Sequence, residues 1–227
     1  MLSDTNEFEE VWFPAGRVDL AGLLAVPSHA RGIVILVYGR GSSRFSTRNQ
    51  YIAGTLVRAG LATFLLDLLT FEEQRLDEVT AELRFDIDLL AERLLATTKW
   101  LGALPLTRQL GIGYFGASTS AAAALVAASQ RPSDIQAIVS RGGRPDLAGS
   151  ALTRVQAPTL LIVGEKDQFV LQLNEWALKA LRPEKRLEIV PGAAPLLEQP
   201  DALERVSELA GDWFGKHLSR HAATRAA

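Results

Sequence analysis

Apolar residues occur along this chain in short continuous runs, which are separated by longer stretches with helical spacing. The apolar runs are residues 32–38, 61–66, 110–115, 135–140, 159–163 and 186–190. Runs this short, apolar on both faces, are typical of buried parallel strands. The stretches with helical spacing are residues 47–59, 84–101, 119–130, 171–181 and 201–217. Their alternation predicts an α/β fold with a doubly wound, mostly parallel sheet, helices on both faces, and ligand chemistry at the carboxyl ends of the strands.

The first part of the chain follows a different pattern, in which apolar and polar residues alternate on either side of Pro14, Ala15 and Gly16. Alternation over residues 8–13 and 17–26, with a Gly-containing turn between them, predicts an antiparallel hairpin at the edge of the sheet. No repeat or change of composition follows. Residues 1–218 are therefore expected to form a single domain, with residues 219–227 as a C-terminal tail.

Composition narrows the function without naming a substrate. The chain carries a formal net charge of −2 and no run of Lys or Arg, so a nucleic-acid partner is not expected. No apolar run approaches the roughly 20 residues of a membrane span, and the acidic start lacks the apolar centre of a secretory signal. These features predict a cytoplasmic protein, a monomer or homodimer, without membrane contact. Cysteine is absent and the histidines are not paired, so neither a metal nor another cofactor is expected.

The clearest chemical signal is an apolar strand that runs through Gly-x-Ser into an Ala-rich helix, within residues 112–125. A nucleophile elbow needs this order, because a tight turn between strand and helix lifts the serine above the sheet. The small residues Gly116 and Ser120 allow such a turn, and the amide of Thr119 would face a developing oxyanion from the first helical turn. Ser118 is the predicted nucleophile, and the alternative is a Ser and Gly connection without chemistry.

A second signal is a buried strand that ends at Gly164 and is followed by Asp167. A carboxylate at this end of the sheet can orient a histidine, so Asp167 is the predicted acid of a catalytic triad. The alternative is that Asp167 caps the helix that follows it.

A third signal is the strand ending at Tyr38, which opens into the Gly-rich loop of residues 39–43. Taken together, these three segments resemble the dienelactone hydrolase branch of the α/β-hydrolase superfamily. The resemblance extends over residues 32–214. The resemblance implies the α/β-hydrolase fold, hydrolysis of a small ester or lactone, and a second oxyanion donor at the amide of Arg40. It also implies a pocket around the nucleophile, formed by Tyr38, Gly39, Gly41, Ala194 and Pro195.

The resemblance breaks at the catalytic histidine. Family members carry it in the loop after the last strand, in a Pro-Gly-Ala-x-His arrangement, whereas the corresponding residues 191–195 end in Pro195. Loss of the histidine from a serine triad lowers turnover by about a millionfold. The other histidines are expected far from the site, since His29 precedes a strand, His217 ends a helix that returns to the opposite edge, and His221 lies in the tail.

Two further departures lie beside Ser118, because family members commonly have histidine at the position of Tyr38 and glycine at the position of Ser120. Such clustering is expected either from natural rewiring of the site or from deliberate engineering of the pocket. One hypothesis is that Arg40 stabilises a phenolate on Tyr38, which would then accept a proton during catalysis. The alternative is that Tyr38 packs beside the elbow and Arg40 faces solvent.

Other charged residues at this edge are interpreted as structural. Arg141 and Arg144 flank a Gly-Gly turn and are expected to form ion pairs within their loop. The carboxylates of Asp67, Glu72 and Glu73 fit a loop and the start of a helix rather than a metal site.

Two functions follow from these patterns. The first is a serine-type hydrolase of small esters or lactones with an incomplete triad and weak or rewired activity. The second is a catalytically silenced hydrolase that keeps its pocket to bind a ligand or a partner chain. In either case the pocket wall is expected in a loop over residues 68–83 and around Asp146.

Overall fold

The structure, a computed structural model, describes residues 5–39 and 41–220. Its strands are β1 (Thr5–Ala15), β2 (Val18–Val26), β3 (Gly32–Val37), β4 (Ala62–Leu66), β5 (Gly111–Ala117), β6 (Ile135–Arg141), β7 (Thr159–Gly164) and β8 (Lys185–Val190). Its helices are α1 (Thr47–Arg58), α2 (Phe71–Thr80), α3 (Ile87–Ala103), α4 (Ser120–Gln130), α5 (Gln168–Ala180) and α6 (Pro200–His217). Shorter 3₁₀ segments occupy Leu83–Phe85, Pro145–Arg154 and Pro195–Leu197.

The strands form one sheet in the order β1-β2-β4-β3-β5-β6-β7-β8. β1 and β2 form an antiparallel hairpin, β2 is also antiparallel to β4, and all other pairs are parallel. At the hairpin turn, Gly16 has a φ of 75°, a conformation that glycine adopts without steric cost. The predicted doubly wound sheet with its N-terminal hairpin is confirmed.

The two faces of the sheet carry separate apolar cores. On one face Leu36 and Leu65 pack with residues of α1 and α6, and on the other Ile35 and Tyr114 pack with residues of α3 and α4. Full burial of each such aliphatic side chain contributes about 1.5–3 kcal/mol. The helices therefore hold the sheet from both sides and leave its carboxyl edge to the loops.

Helix α2 lies within residues 68–83, so the expectation of a loop over this whole segment was wrong, whereas the interpretation of Glu72 and Glu73 as residues of a helix start is confirmed. The side chain of Thr70 accepts a hydrogen bond from the amide of Glu73, whose carboxylate accepts one in return from the amide of Thr70. This Thr-x-x-Glu capping box is visible in the sequence and would have marked the helix start. The carboxylate of Glu73 also pairs with Arg93 of α3, with contacts of 2.5 and 2.6 Å, which ties α2 to the domain.

The end of the described chain is attached to the sheet. Ser219, the first residue of the predicted tail, donates its amide to the side chain of Gln136 at 2.9 Å, and its carbonyl accepts the amide of Gly111 at 3.1 Å. The rest of the predicted tail from residue 221 lies outside the described residues. Within the described ranges, no helix has both the length and the apolar character needed to cross a membrane.

Candidate active site

Ser118 stands at the turn between β5 and α4 in the conformation of a nucleophile elbow. Its φ is 54°, in the left-handed region that serine seldom adopts and that costs roughly 1–2 kcal/mol. Its carbonyl accepts the amides of Ala121 at 3.2 Å and of Arg144 at 3.0 Å, which hold the turn in place. A β-carbon on Gly116 would lie 2.6 Å from the Cα of Ala121, so only glycine fits there. The predicted strand, turn and helix are all present.

The loop after β3 lies against this elbow. A β-carbon on Gly39 would lie 2.6 Å from the Cβ and 3.0 Å from the Oγ of Ser118. The hydroxyl of Ser120 donates to the carbonyl of Tyr38 at 2.9 Å, so this side chain joins loop and elbow directly. Thr119 is buried at the start of α4. The predicted oxyanion donor Arg40 lies outside the described residues, so its role stays a prediction, as does that of the Thr119 amide.

Asp167 caps helix α5. Its carboxylate accepts the amide of Val170 at 3.2 Å, and its own amide donates to the carbonyl of Gly164 at 3.0 Å. The alternative given for Asp167, a cap on the following helix, is therefore present in the structure. The carboxylate is partly exposed at the carboxyl edge of β7, and its role as a triad acid stays a prediction.

The loop after β8 brings Pro195 to the same edge. The amide of Lys166 donates to the carbonyl of Ala193 at 3.1 Å, and a β-carbon on Gly164 would lie 2.6 Å from the carbonyl oxygen of Ala194. The loop therefore packs closely on the end of β7. Two non-glycine residues that follow Pro195 have positive φ angles, 69° at Leu196 and 52° at Leu197, so this loop carries backbone strain at the carboxyl edge of the sheet.

The described histidines lie at the opposite edge. His29 is in the turn before β3, and Nε2 of His217 lies 3.7 Å from the carboxylate of Glu184, the residue just before β8. His221 is outside the described residues. Among those that are described, no group of three or more His, Asp or Glu side chains is placed to hold a metal ion.

Tyr38 and Asp67 form a buried pair of acidic groups beside the elbow. Burial raises the pKa of Tyr38 well above its usual range, and the charge of Asp67 raises it further, while Arg44 only partly opposes this. The hypothesis of a Tyr38 phenolate needs the opposite direction, so the structure argues against it. Burial also raises the pKa of Asp67, although its contacts with Arg44 act to lower it.

The sequence did not reveal the role of Asp67, which was read as an ordinary loop carboxylate. Asp67 accepts the backbone amide of Arg44 at 2.9 Å and pairs with its guanidinium, which also contacts Glu10 of β1 at 2.6 Å. The guanidinium lies over the rings of Trp12 and Phe45 as well. Arg44 therefore anchors the loop that carries Gly39 to two other parts of the fold, strand β1 and Asp67 at the end of β4.

A cavity of about 290 Å³ opens beside the elbow. The predicted site residues that line it are Tyr38, Gly39, Gly41 and Thr119. Ala194, Pro195 and Asp146, which were also expected near the pocket, do not line this cavity. The opposite wall comes largely from α2 and its flanks, where Asp77 pairs with Arg84 at 2.7 Å. Residues of the segment 68–83 thus line this cavity, and that it is the substrate pocket stays a prediction.

The two arginines of the loop after β6 differ from each other. Arg144 makes a two-pronged ion pair with Asp146, with contacts of 2.8 and 2.7 Å, so its predicted ion pair is confirmed. Arg141 makes no ion pair among the described residues. Its Nε and Nη1 atoms are buried without a hydrogen-bond partner, and the prediction of an ion pair was wrong for this residue.

The fold and the elbow define an α/β-hydrolase, and comparison with solved structures narrows the class. A dienelactone hydrolase from Anabaena variabilis is 54% identical, with a TM-score of 0.91 over 93% of this chain and 98% of that one. The chain therefore belongs to the dienelactone hydrolase family. No family model matches the sequence.

More distant structures share the fold alone. A dienelactone hydrolase-like promiscuous phosphotriesterase from metagenomic libraries is 16% identical, with a TM-score of 0.75 over 94% of this chain and 99% of that one. An esterase from Pyrococcus furiosus is also 16% identical, with a TM-score of 0.72 and 93% of each chain covered.

The curated relatives are longer proteins. In two strains of Mycobacterium tuberculosis, a protein provisionally named as a phosphoribosyl transferase is 54% identical over 210 residues. The match covers 92% of this chain but 46% of each relative. The chain thus spans about half the length of the curated relatives it matches.

Proposed function

We propose that this chain is a serine-type hydrolase of small esters or lactones, with Ser118 as nucleophile and a triad that lacks its histidine. The observation that carries the proposal is the left-handed backbone of Ser118 at the turn from β5 to α4, packed against Gly39 of the oxyanion loop. A serine is held in this costly conformation where its hydroxyl must project from the sheet. The solved family member named as a dienelactone hydrolase supports the same reaction class.

In the proposed reaction, the oxygen of Ser118 attacks the acyl carbon, and the carbonyl oxygen of the substrate becomes an oxyanion. The amides of Thr119 and Arg40 would donate to that oxyanion, and the positive end of α4 would add to its stabilisation. With Pro195 at the histidine position, the proton of the serine passes to a base from the solvent. Binding and the oxyanion hole alone leave about a thousandfold acceleration over water, so activity is weak.

The absence of a side-chain base at Pro195 favours a second candidate, a silenced hydrolase that binds a ligand or partner without turnover. In that case the cavity beside the elbow keeps its shape and Ser118 does not react. The transferase name of the mycobacterial relatives belongs to proteins about twice as long, and the fold of this chain gives it no support.

Four proteins separate the candidates: wild type, Ser118→Ala, Pro195→His and the double variant Ser118→Ala with Pro195→His. Each is incubated with a fluorophosphonate probe and with p-nitrophenyl acetate. If the probe labels the wild type and does not label Ser118→Ala, the result supports the weak hydrolase. If the wild type is inert and Pro195→His is active, the result supports the silenced scaffold. If Pro195→His is inert as well, or if its activity survives in the double variant, Ser118 is not the nucleophile of a recoverable triad.

A further inference from the structure

Arg141 is a buried cation with no hydrogen-bond acceptor for Nε or Nη1 in the described part of the chain. The residue is 6% exposed. Burying a polar group without a partner costs about 1–3 kcal/mol, and more when the group is charged, so such groups are rare and call for a structural reason. Neighbouring Arg144, whose Nε and Nη2 donate to Asp146, shows that the same loop is able to provide acceptors for a guanidinium.

The position of Arg141 is close to the proposed nucleophile. It is the last residue of β6, and it pairs in register with Ala117 of β5, the residue before Ser118. Paired strands lie about 4.8 Å apart, so the backbone of Arg141 is one strand spacing from the elbow. Because side chains alternate along a strand, Arg141 lies on the same face as Val139, which packs in the core that includes α1 and α6.

The nearest charges leave Arg141 unneutralised. Burial lowers the pKa of Arg141 to about 10, with Glu198 opposing and Arg48 adding to this shift. The group therefore remains protonated at neutral pH. Glu198 is already bonded to Arg48 at 2.9 Å, and the side chains of Glu198 and Arg48 are 37% and 40% exposed. The carboxylate that opposes the shift at Arg141 is therefore shared with a second arginine at the surface.

We propose that Arg141 anchors an anion subsite beside Ser118, which takes the carboxylate or phosphate group of a ligand. An oxyanion supplies the acceptors that Nε and Nη1 lack and neutralises the buried charge, and guanidinium–oxyanion bonds are among the strongest hydrogen bonds in proteins. The anion would reach the guanidinium of Arg141 by displacing the exposed Arg48–Glu198 pair, because surface ion pairs are weak. The subsite goes beyond the proposed hydrolysis, because binding at Arg141 does not require Ser118 to react.

The test is calorimetric titration of the full chain with sodium phosphate and, separately, with sodium acetate, at constant ionic strength. The variants are Arg141→Met, which keeps the length of the side chain without its charge, and Arg141→Lys, which keeps a charge. Arg58→Met is the matched control, because Arg58 is an exposed arginine on α1. We expect saturable binding of at least one anion, weakened about tenfold or more by Arg141→Met, retained in part by Arg141→Lys and unchanged by Arg58→Met. The anion that binds more tightly identifies the ligand group.

Unfolding in urea is the second measurement, and it guards against a misfolded variant. Without anion, the unfolding midpoint of Arg141→Met is expected to equal or exceed that of the wild type, because an unpaired buried charge has been removed. With anion, the wild type is expected to be stabilised and Arg141→Met is not. Three results would overturn the subsite: no saturable binding to the wild type, equal binding by Arg141→Met, or a large fall in its midpoint without anion. Repeating the titration with Ser118→Ala keeps this test independent of the hydrolase proposal.

Discussion

Gly39 lies against the side chain of Ser118 with no room for a methyl group between them. A β-carbon on Gly39 would come within 2.6 Å of the Cβ of Ser118 and 3.0 Å of its Oγ. The loop after β3 and the elbow after β5 therefore fit each other only when residue 39 is glycine. The position of the Ser118 hydroxyl depends on this contact.

Gly39→Ala is expected to displace Ser118 while the fold is retained. Overpacking of this kind costs about 1–3 kcal/mol, and a shift of about 1 Å at a reacting group lowers its rate by roughly a hundredfold. The measurements are the fluorophosphonate labelling rate and the urea midpoint. Gly102→Ala in α3 is the control, since a β-carbon there meets nothing within 4 Å, and it should stabilise by about 0.5–1 kcal/mol. Unchanged labelling of Gly39→Ala would contradict the packing argument.

The pH dependence of labelling should differ between the wild type and Pro195→His. Without an imidazole at position 195, the labelling rate of the wild type rises steadily with pH as solvent hydroxide increases. A histidine at position 195 introduces an inflection near its ordinary pKa of about 6.5, with faster labelling above it, because only the neutral ring accepts the serine proton. An inflection near neutral pH in the wild type would show that another base serves Ser118.

Asp67→Ala is expected to lower the free energy of unfolding by about 3 kcal/mol, the low end of the range for breaking a buried ion pair. The low end applies because Arg44 keeps Glu10 as a partner and is 14% exposed. Urea unfolding measures this free energy. The control Glu208→Ala, which breaks the exposed pair with Arg205, should change the free energy of unfolding by less than about 1 kcal/mol. Equal effects of the two variants would show that the Asp67–Arg44 pair contributes no more than a surface contact.

Tyr38→Phe tests the raised pKa of Tyr38. In the folded state Tyr38 stays protonated above pH 10, whereas in the unfolded chain it ionises near its usual pKa of about 10. The stabilisation is therefore complete below pH 10 and is lost as the pH rises from there towards the folded pKa. The stability difference between wild type and Tyr38→Phe should shrink by about 1.4 kcal/mol per pH unit in that window.

Urea unfolding between pH 9 and pH 11 measures this difference. Tyr114→Phe is the companion variant, because burial raises the pKa of Tyr114 in the same direction. Stability curves of wild type and Tyr38→Phe that stay parallel over this range would contradict the burial argument. Such a result would reopen the possibility that Tyr38 acts as a base.

The strand-forming runs, the hairpin and most of the helices could be predicted from the sequence, because their signals are local. The period of apolar residues distinguishes strand from helix, and the small residues around Ser118 indicate the elbow. Helix α2 was not predicted over its full length, although Glu72 and Glu73 were interpreted as residues of a helix start, because its residues are mostly polar and only Asp77 among them is buried. Its capping box at Thr70 and Glu73 was the local signal available.

Contacts between distant residues could not be predicted in the same way. The pair formed by Arg44 and Asp67 joins residues 23 positions apart, and nothing in the local pattern distinguishes Asp67 from a solvated loop carboxylate. Arg141 and Arg144 look alike in the sequence, yet Arg144 is bonded to Asp146, whereas Nε and Nη1 of Arg141 are buried without a partner in the described part of the chain. Burial and partner choice depend on the loops that meet at the carboxyl edge.

The sequence by itself determined the class of fold and the nucleophile candidate at the elbow, and it predicts that Pro195 stands where relatives carry a histidine. These follow from residue type and short-range spacing, which the covalent chain sets directly. Only the tertiary structure decided that burial raises the pKa of Tyr38, that Asp67 anchors the loop after β3 through Arg44, and that Nε and Nη1 of Arg141 lack an acceptor among the described residues. Those properties arise from desolvation and from charges brought together across the sheet, which no stretch of sequence specifies alone.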